Sequence, residues 1–549
     1  MTNAERLFRV LGLVDPGLVE EAAPGPPVRR LAAWRRILPA AACLALICTL
    51  GFGWISTGGF QGFGAGGGSS GGSSGSGSSG GSSGSSGGTS GWDGPSADAD
   101  AGYSGNDGST TFMQYSGPVF PLTALEAPDG LTAERHTAWD FSPGTYADGT
   151  PRQWGAAVED TYRLSNPTDQ DVTLTALYPF SGRFSDLSRL LPSVTLDGAA
   201  AESCELYAGP YSGGFEGTCG ASQPDTMNLD TLDSWTDYRA LLEGGAYLSQ
   251  ALGDAPALDI PITVYDFTDF AAPHDQYQAA TQAISFTIDE SATQILTYGF
   301  NGMEAQDDGF RRCSYFVPDG MRRESDTKLL AVLGTDLSGY TLQGYKDGGC
   351  EDGEEIEGVT CTVTRTETTL DALLDRLCEA YRAHYSDGRA ADQENAFDTV
   401  PFAMYRRAAA ELLTQYGPLG GAPMDRYQDG RLDDILSETL THDRVLYLAF
   451  EVTVPAGGST EVSVRLWKAP SVDFYCSGSD NEGLQGYDMV TQLGSNLTFT
   501  SQTAALINLN PDLAIAGQNF GFDLENGINT VTLDPAQEHY YLELTVPED

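Results

Sequence analysis

The stretch AVEDTYRLSNPTDQDVTLTALYPF, residues 157–180, decides how the larger part of this 549-residue chain is read. Val158, Asp160, Tyr162 and Leu164 alternate with Glu159, Thr161 and Arg163, and Val172, Leu174, Ala176 and Tyr178 alternate again beyond Asn166–Asp169. A period of two puts successive side chains on opposite faces, so each run reads as a half-buried strand. Two such runs around a short Asn, Pro, Thr, Asp turn predict a β-hairpin. The same grammar returns in RVLYLAFEVTVPAGGSTEVSVRLWK, residues 444–468, where Pro455 to Ser459 turns the chain. It predicts a second hairpin.

Outward from these stretches, strands are predicted at 193–197, 260–266, 283–288, 294–300, 339–345, 358–364, 496–501 and 540–546. Many short strands with Gly, Pro and Asp turns predict a mainly β fold of sandwich type. Leu370, Leu373, Leu374, Leu377, Tyr381 and Tyr385 break the pattern with helical spacing behind Thr369. Pro401 to Tyr416, closed by Gly417, and Gly430 to Leu440 read as two more helices, and Trp235 to Glu243 as a shorter one. The expected class is therefore α+β, mainly β with a helical insertion. In its turns the outer part resembles extracellular immunoglobulin-like domains, a likeness of architecture that implies no activity.

The N-terminal part has a different composition. Ile37 to Ile55 is a run of 19 residues without a charge, with Trp34 and Trp54 near its two ends. That is close to the roughly 20 residues a helix needs to span a bilayer. Residues 1–36 carry six Arg and four acids, and the rest of the chain 23 basic and 72 acidic residues, for a net charge of -47 overall. Basic residues before the span place the N-terminus in the cytoplasm and the acidic bulk outside. From Ser56 to Thr111 the chain is mostly Gly, Ser and Asp, including GGGSSGGSSGSGSSGGSSGSSGG at 66–88, and a flexible coil of that length spans on the order of 40 Å. The expected organisation is a cytoplasmic segment at 1–36, a transmembrane helix at 37–55, a Gly/Ser-rich disordered linker at 56–111, a β-rich ectodomain at 112–365, a helical insertion at 366–441 and a C-terminal β-rich region at 442–549.

Within the inner segment, Leu7, Val10, Leu11 and Val14 repeat at helical spacing before the Asp15-Pro16-Gly17 turn. The arrangement LFRVLGLVDPGLVEEA (7–22), then a spacer, a basic cluster and one span, resembles the N-terminal signature of bacterial single-pass membrane proteins, some of them anti-sigma-factor-like. The resemblance covers about the first 55 residues. It implies a docking face of Leu7, Leu11, Val14 and Leu18, whose occupant is a cytoplasmic regulatory protein or the bilayer surface, and it carries over no catalytic residue. No Cys or His precedes the span, so a zinc-bearing version of such a segment is excluded.

Catalytic signatures are sparse. The five histidines (His136, His274, His384, His442, His539) show no zinc spacing. Matches to GxSxG lie in the Gly/Ser run, where composition alone produces them, and Ser325 with Lys328 satisfies SxxK without its companion motifs. The acidic loop DGGCEDGEEIEG, with Asp347, Glu351, Asp352, Glu354, Glu355 and Glu357, offers oxygen ligands that Ca²⁺ accepts, at a spacing that is not an EF-hand's. It reads first as a solvated loop. An outer surface this acidic repels phosphate backbones, which sets nucleic acid aside as a partner.

Outside a membrane disulfides persist. Cys204 and Cys219 flank a Gly-rich loop and form one candidate pair, and Cys350 and Cys361 bracket the acidic loop as a second. Cys378 follows Leu374 by four residues and reads as core. The function expected from all of this is a non-enzymatic, membrane-tethered extracytoplasmic binding or sensing protein without a cofactor, with a cell-surface ligand and an anti-sigma-like inner segment. Competing readings are a surface adhesion or carbohydrate-binding protein and, behind it, an envelope hydrolase.

Overall fold

The computed structural model describes residues 110–546 apart from 111, 113, 127–128, 143, 146–150, 153, 212–213, 216–230, 233–238, 241, 244, 274–279, 318–327, 388–394, 422–426, 428 and 474–480. The expected inner segment, the span at 37–55 and nearly all of the linker lie outside the described residues. Among those described, no helix is long and apolar enough to cross a membrane.

The described part is mainly β with a smaller helical share. Its strands are β1 (Thr132–Asp140), β2 (Ala156–Ser165), β3 (Val172–Gly182), β4 (Ser193–Leu196), β5 (Glu205–Tyr211), β6 (Pro261–Ala271), β7 (Thr281–Thr287), β8 (Thr293–Tyr298), β9 (Phe310–Phe316), β10 (Lys328–Gly334), β11 (Thr341–Tyr345), β12 (Thr360–Thr369), β13 (Arg444–Val454), β14 (Ser459–Lys468), β15 (Leu484–Val490), β16 (Thr498–Asn508), β17 (Ala514–Gln518) and β18 (His539–Thr545), with shorter pieces between them. Alternation built β2 as expected, since Ala156, Val158, Asp160, Tyr162 and Leu164 are its buried face.

Neither expected hairpin forms. β2 pairs with β1 and β14 in a seven-stranded sheet, whereas β3 pairs with β13 and Thr123–Ala124 in a four-stranded one. Both connections are arches that carry the chain from one sheet to the other. The two arches pair with each other along their full strands, β2 with β14 and β3 with β13. The reason lies at the turns. Asn166 turns its side-chain amide to Val454 O at 3.1 Å and to Gln170 O at 2.7 Å, Asn166 N–H donates to Gly458 O, and Gly457 N–H donates to Thr168 O. Each turn thus bonds to the other arch, and β2 never meets β3 edge to edge.

Everything from 183 to 443 is inserted between β3 and β13. Within it, β8, β10, β6 and β12 form one antiparallel sheet and β9, β7 and β11 the middle of another. Tyr265, Phe267, Leu330 and Val332 of the first sheet and Ile284, Phe286, Cys313 and Tyr315 of the second close a shared core. The sequence reading passes over β10, because KLLAVLG is buried on both faces and shows no alternation.

The helices are α1 (Ala246–Leu252), α2 (Leu370–Asp387), α3 (Phe402–Glu411) and α4 (Leu432–Thr441). In α2 the Thr369 hydroxyl takes the Ala372 N–H at 3.3 Å, and Leu370, Leu373, Leu374, Leu377 and Cys378 are its buried stripe. α3 ends in a π-helical turn, Leu412–Tyr416, before Gly417. Helices α2, α3 and α4 join the arch sheets and the β6 sheet in one apolar core, with Tyr162, Tyr178, Val264, Leu329 and Leu436 among its buried members, while α1 packs Tyr247 and Ala251 into a separate one with Leu177, Val445 and Tyr447.

Candidate functional site

A charge taken out of water needs a partner, and the buried charged groups of this protein meet that need in different ways. The first group sits where the apolar cores meet. β2 carries Asp160 between Val158 and Tyr162, and β1 brings Arg135 and Thr137 alongside, with Thr137 directly opposite Asp160. Arg135 Nε and Nη2 each reach a carboxylate oxygen of Asp160 at 2.9 Å, and both side chains are fully buried. Thr137 Oγ1 donates to Asp160 at 2.8 Å and Tyr162 OH at 2.5 Å, while Arg135 donates onward to Val490 O at 2.7 Å and Phe120 O at 3.2 Å. Both partners are saturated by protein groups, and the pair works as a structural joint.

The second group has open space beside it. In the sheet β15-β18-β17, Gly486 faces Glu543, Asp488 faces Tyr541 and Val490 faces His539. Directly opposed residues share a face, so one side of this sheet is polar while Tyr487, Met489, Leu542 and Leu544 send the other into the core. Residues 114–120 run across the polar side as a strap, bridged to the sheet region at Gln114 with Val472 and at Val119 with Met489. The Phe112 ring rests on Gly486, where a Cβ would come within 2.3 Å of it, so only glycine admits this contact.

Beneath the strap, Tyr115 OH donates to Asp488 Oδ2 at 2.5 Å, and His539 Nε2 lies 2.9 Å from the same oxygen. Thr110 N–H donates to Glu543 at 2.9 Å and Lys468 Nζ donates to Ser116 O at 2.5 Å. Burial pushes the Lys468 ammonium down to about 8, with the charges of Asp488 and Asp443 pulling against it. The recess between strap and sheet offers about 20 Å³. That is room for a group the size of water, far below the several hundred Å³ of a typical small-molecule pocket. The arrangement can hold and share a proton and pin the strap.

A third group closes α4, where Tyr427 OH donates to Glu438 and lies 3.0 Å from His442 Nε2, itself 3.4 Å from Glu438. Sequence reading missed both carboxylate–histidine pairs. The Glu438–His442 spacing of four on a helix was a visible signal. Asp488 and His539 are joined only by sheet register and left none.

Of the residues singled out from sequence, Leu7, Leu11, Val14, Leu18 and Cys219 lie outside the described residues. Cys204 is an exposed free thiol. Cys350 and Cys361 are also free, the first buried with Ala283 and Tyr345 and the second half-buried on β12 beside Tyr315. Burial pushes both of these thiols up, away from the thiolate that reacts. Cys378 is buried in the core, as its helical position implied. In the acidic loop, Lys346 pairs with Glu354 at 2.5 Å and Gly349 N–H donates to Asp347, and among the described residues no group of three or more His, Cys, Asp or Glu is placed to hold a metal ion. No protein-family model, curated protein or solved structure matches the chain.

Proposed function

We propose that this chain is a membrane-tethered, extracytoplasmic binding or sensing protein that does no catalysis of its own. Immunoglobulin-like sandwiches are the finer form we assign to its paired sheets, carried outside the cell on the helix at 37–55 and the linker at 56–111. The observation that carries the reading is the strap. The first described residues after the Gly/Ser run are bonded to strands near the other end of the chain, through Tyr115 to Asp488, Ser116 N–H to Ser471 and Gln114 to Val472. A domain hung from a flexible tether feels any pull at this point first, and a hydrogen-bonded strap resists it better than a frayed terminus.

On the inner side, the apolar face of Leu7, Leu11, Val14 and Leu18 is proposed to dock on a sigma factor. Protease added to intact protoplasts is expected to remove the outer mass and leave a small membrane-bound remnant that keeps an N-terminal tag. Digestion of that tag from outside refutes the orientation. Leu7→Asp with Leu11→Asp is expected to abolish co-purification of the sigma factor while membrane insertion stays intact, since an unpaired carboxylate in an apolar contact costs several kcal/mol. Failure to recover any sigma factor with the unmutated segment removes the regulatory half of the reading and leaves the tethered half standing.

A further inference from the structure

Arg444 opens β13 with only 3% of its surface exposed. Its Nε has no hydrogen-bond partner, and among the described residues no carboxylate forms an ion pair with its guanidinium. The charged group makes its contact through its face, with the carbon Cζ 5.0 Å from the centre of the Phe184 ring. Arg135 is equally buried and fully bonded, so burial alone does not account for the difference. The carboxylates around Arg444 are committed elsewhere. Glu411 holds Arg407 at 2.9 Å and the sequence neighbour Asp443 holds Arg183 at 3.0 Å. Burial works against the charge of Arg444, and Glu411, Tyr416 and Tyr427 act on it from a distance. The π-helical turn after Glu411 carries Tyr416 into the same neighbourhood, and such turns recur at functional sites.

We propose that Arg444 is a ligand-binding residue whose partner is the carboxylate of a small monovalent anion. A guanidinium covered on its face by an aromatic ring still offers its N–H groups in the plane, a fork that matches two coplanar oxygens. Glu411 nearby, in a chain of net charge -47, disfavours a dianion such as phosphate. This site is separate from the strap and stands whether or not the tethered reading does.

The test is thermal unfolding of the full-length chain in detergent, titrated with sodium acetate and, at matched ionic strength, with sodium chloride or inorganic phosphate. A saturable rise in Tm with acetate is expected, absent from Arg444→Gln and weakened at least tenfold in Arg444→Lys, which keeps the charge and loses the fork. Glu411→Gln keeps the arginine, removes an opposing charge and is expected to tighten acetate by about threefold or more. In acetate-free buffer Arg444→Met is expected to match or exceed the parent Tm, because it removes an uncompensated buried charge. An equal rise with chloride or phosphate overturns the proposal, as does an acetate response that survives Arg444→Gln. So does a fall in Tm for Arg444→Met in acetate-free buffer, since the arginine would then already be satisfied within the protein.

Discussion

Tyr115 and Asp488 are 373 positions apart in the chain, and their side chains meet in a 2.5 Å hydrogen bond. The bond holds the strap to the sheet that ends the described chain. Tyr115→Phe removes the hydroxyl and leaves His539 bonded to that carboxylate oxygen. A hydrogen bond to a charged group is worth about 1.5–3 kcal/mol, so Tm is expected to fall by several degrees. Limited proteolysis should show earlier cutting near residues 110–120 in the variant, and an unchanged pattern with unchanged Tm would mean that the strap is held by other contacts.

Arg135 and Asp160 test whether a buried joint stabilises the protein or only fixes its geometry. Asp160→Asn leaves a buried guanidinium without its counter-charge and is expected to cost about 3–5 kcal/mol. Replacing both partners, Arg135→Met with Asp160→Leu, is expected to cost less than the single change, because no orphan charge remains. Urea denaturation of the two singles and the double measures this. A double variant less stable than either single would show that the pair itself is the main stabilising element.

Asn166 stitches one arch to the other. In Asn166→Ala the carbonyls of Val454 and Gln170 lose the side-chain amide that reaches them at 3.1 and 2.7 Å. The expected loss is about 1–3 kcal/mol, read as a shift of the urea midpoint without a change in slope. Substitution of the exposed neighbour Asp169 should leave the midpoint where it is.

Lys468 gives the fold a pH dependence of definite sign. Its ammonium is pushed down to about 8 by burial, whereas in the unfolded chain it titrates near the usual lysine value of about 10.4. Between those values the unfolded state binds more protons, so stability rises with pH across that window. Below about 8 both states are protonated and the penalty is fully present. The group's full contribution is on the order of 3 kcal/mol, and Lys468→Met should flatten the rise seen in denaturation midpoints between about pH 7.5 and 9.5. A slope equal in both proteins would place the origin of the pH dependence elsewhere.

Much of the local structure was determined by the sequence alone. Alternation along 157–180 and 444–468 identified the strands, and along β2 their buried face, whereas β3 from Ala176 to Phe180 and β13 from Arg444 to Phe450 are buried on both sides; the Thr369 and Gly417 signals marked helix ends, and the stripe from Leu370 to Cys378 became core. These are short-range properties, set by how a side chain projects from its own backbone. The tertiary structure alone decided which strands pair. Both predicted hairpins became arches because each strand pairs with strands other than its sequence neighbour, β2 with β1 and with β14 about 300 residues on, and β3 with β13, and alternation says which way a side chain points but not which strand lies beside it. The same limit hid the charged groups. Arg135 and Asp160, or Asp488 and His539, are ordinary letters until sheet register sets them together, and Arg444 stands out only once burial has removed the water that would otherwise solvate it.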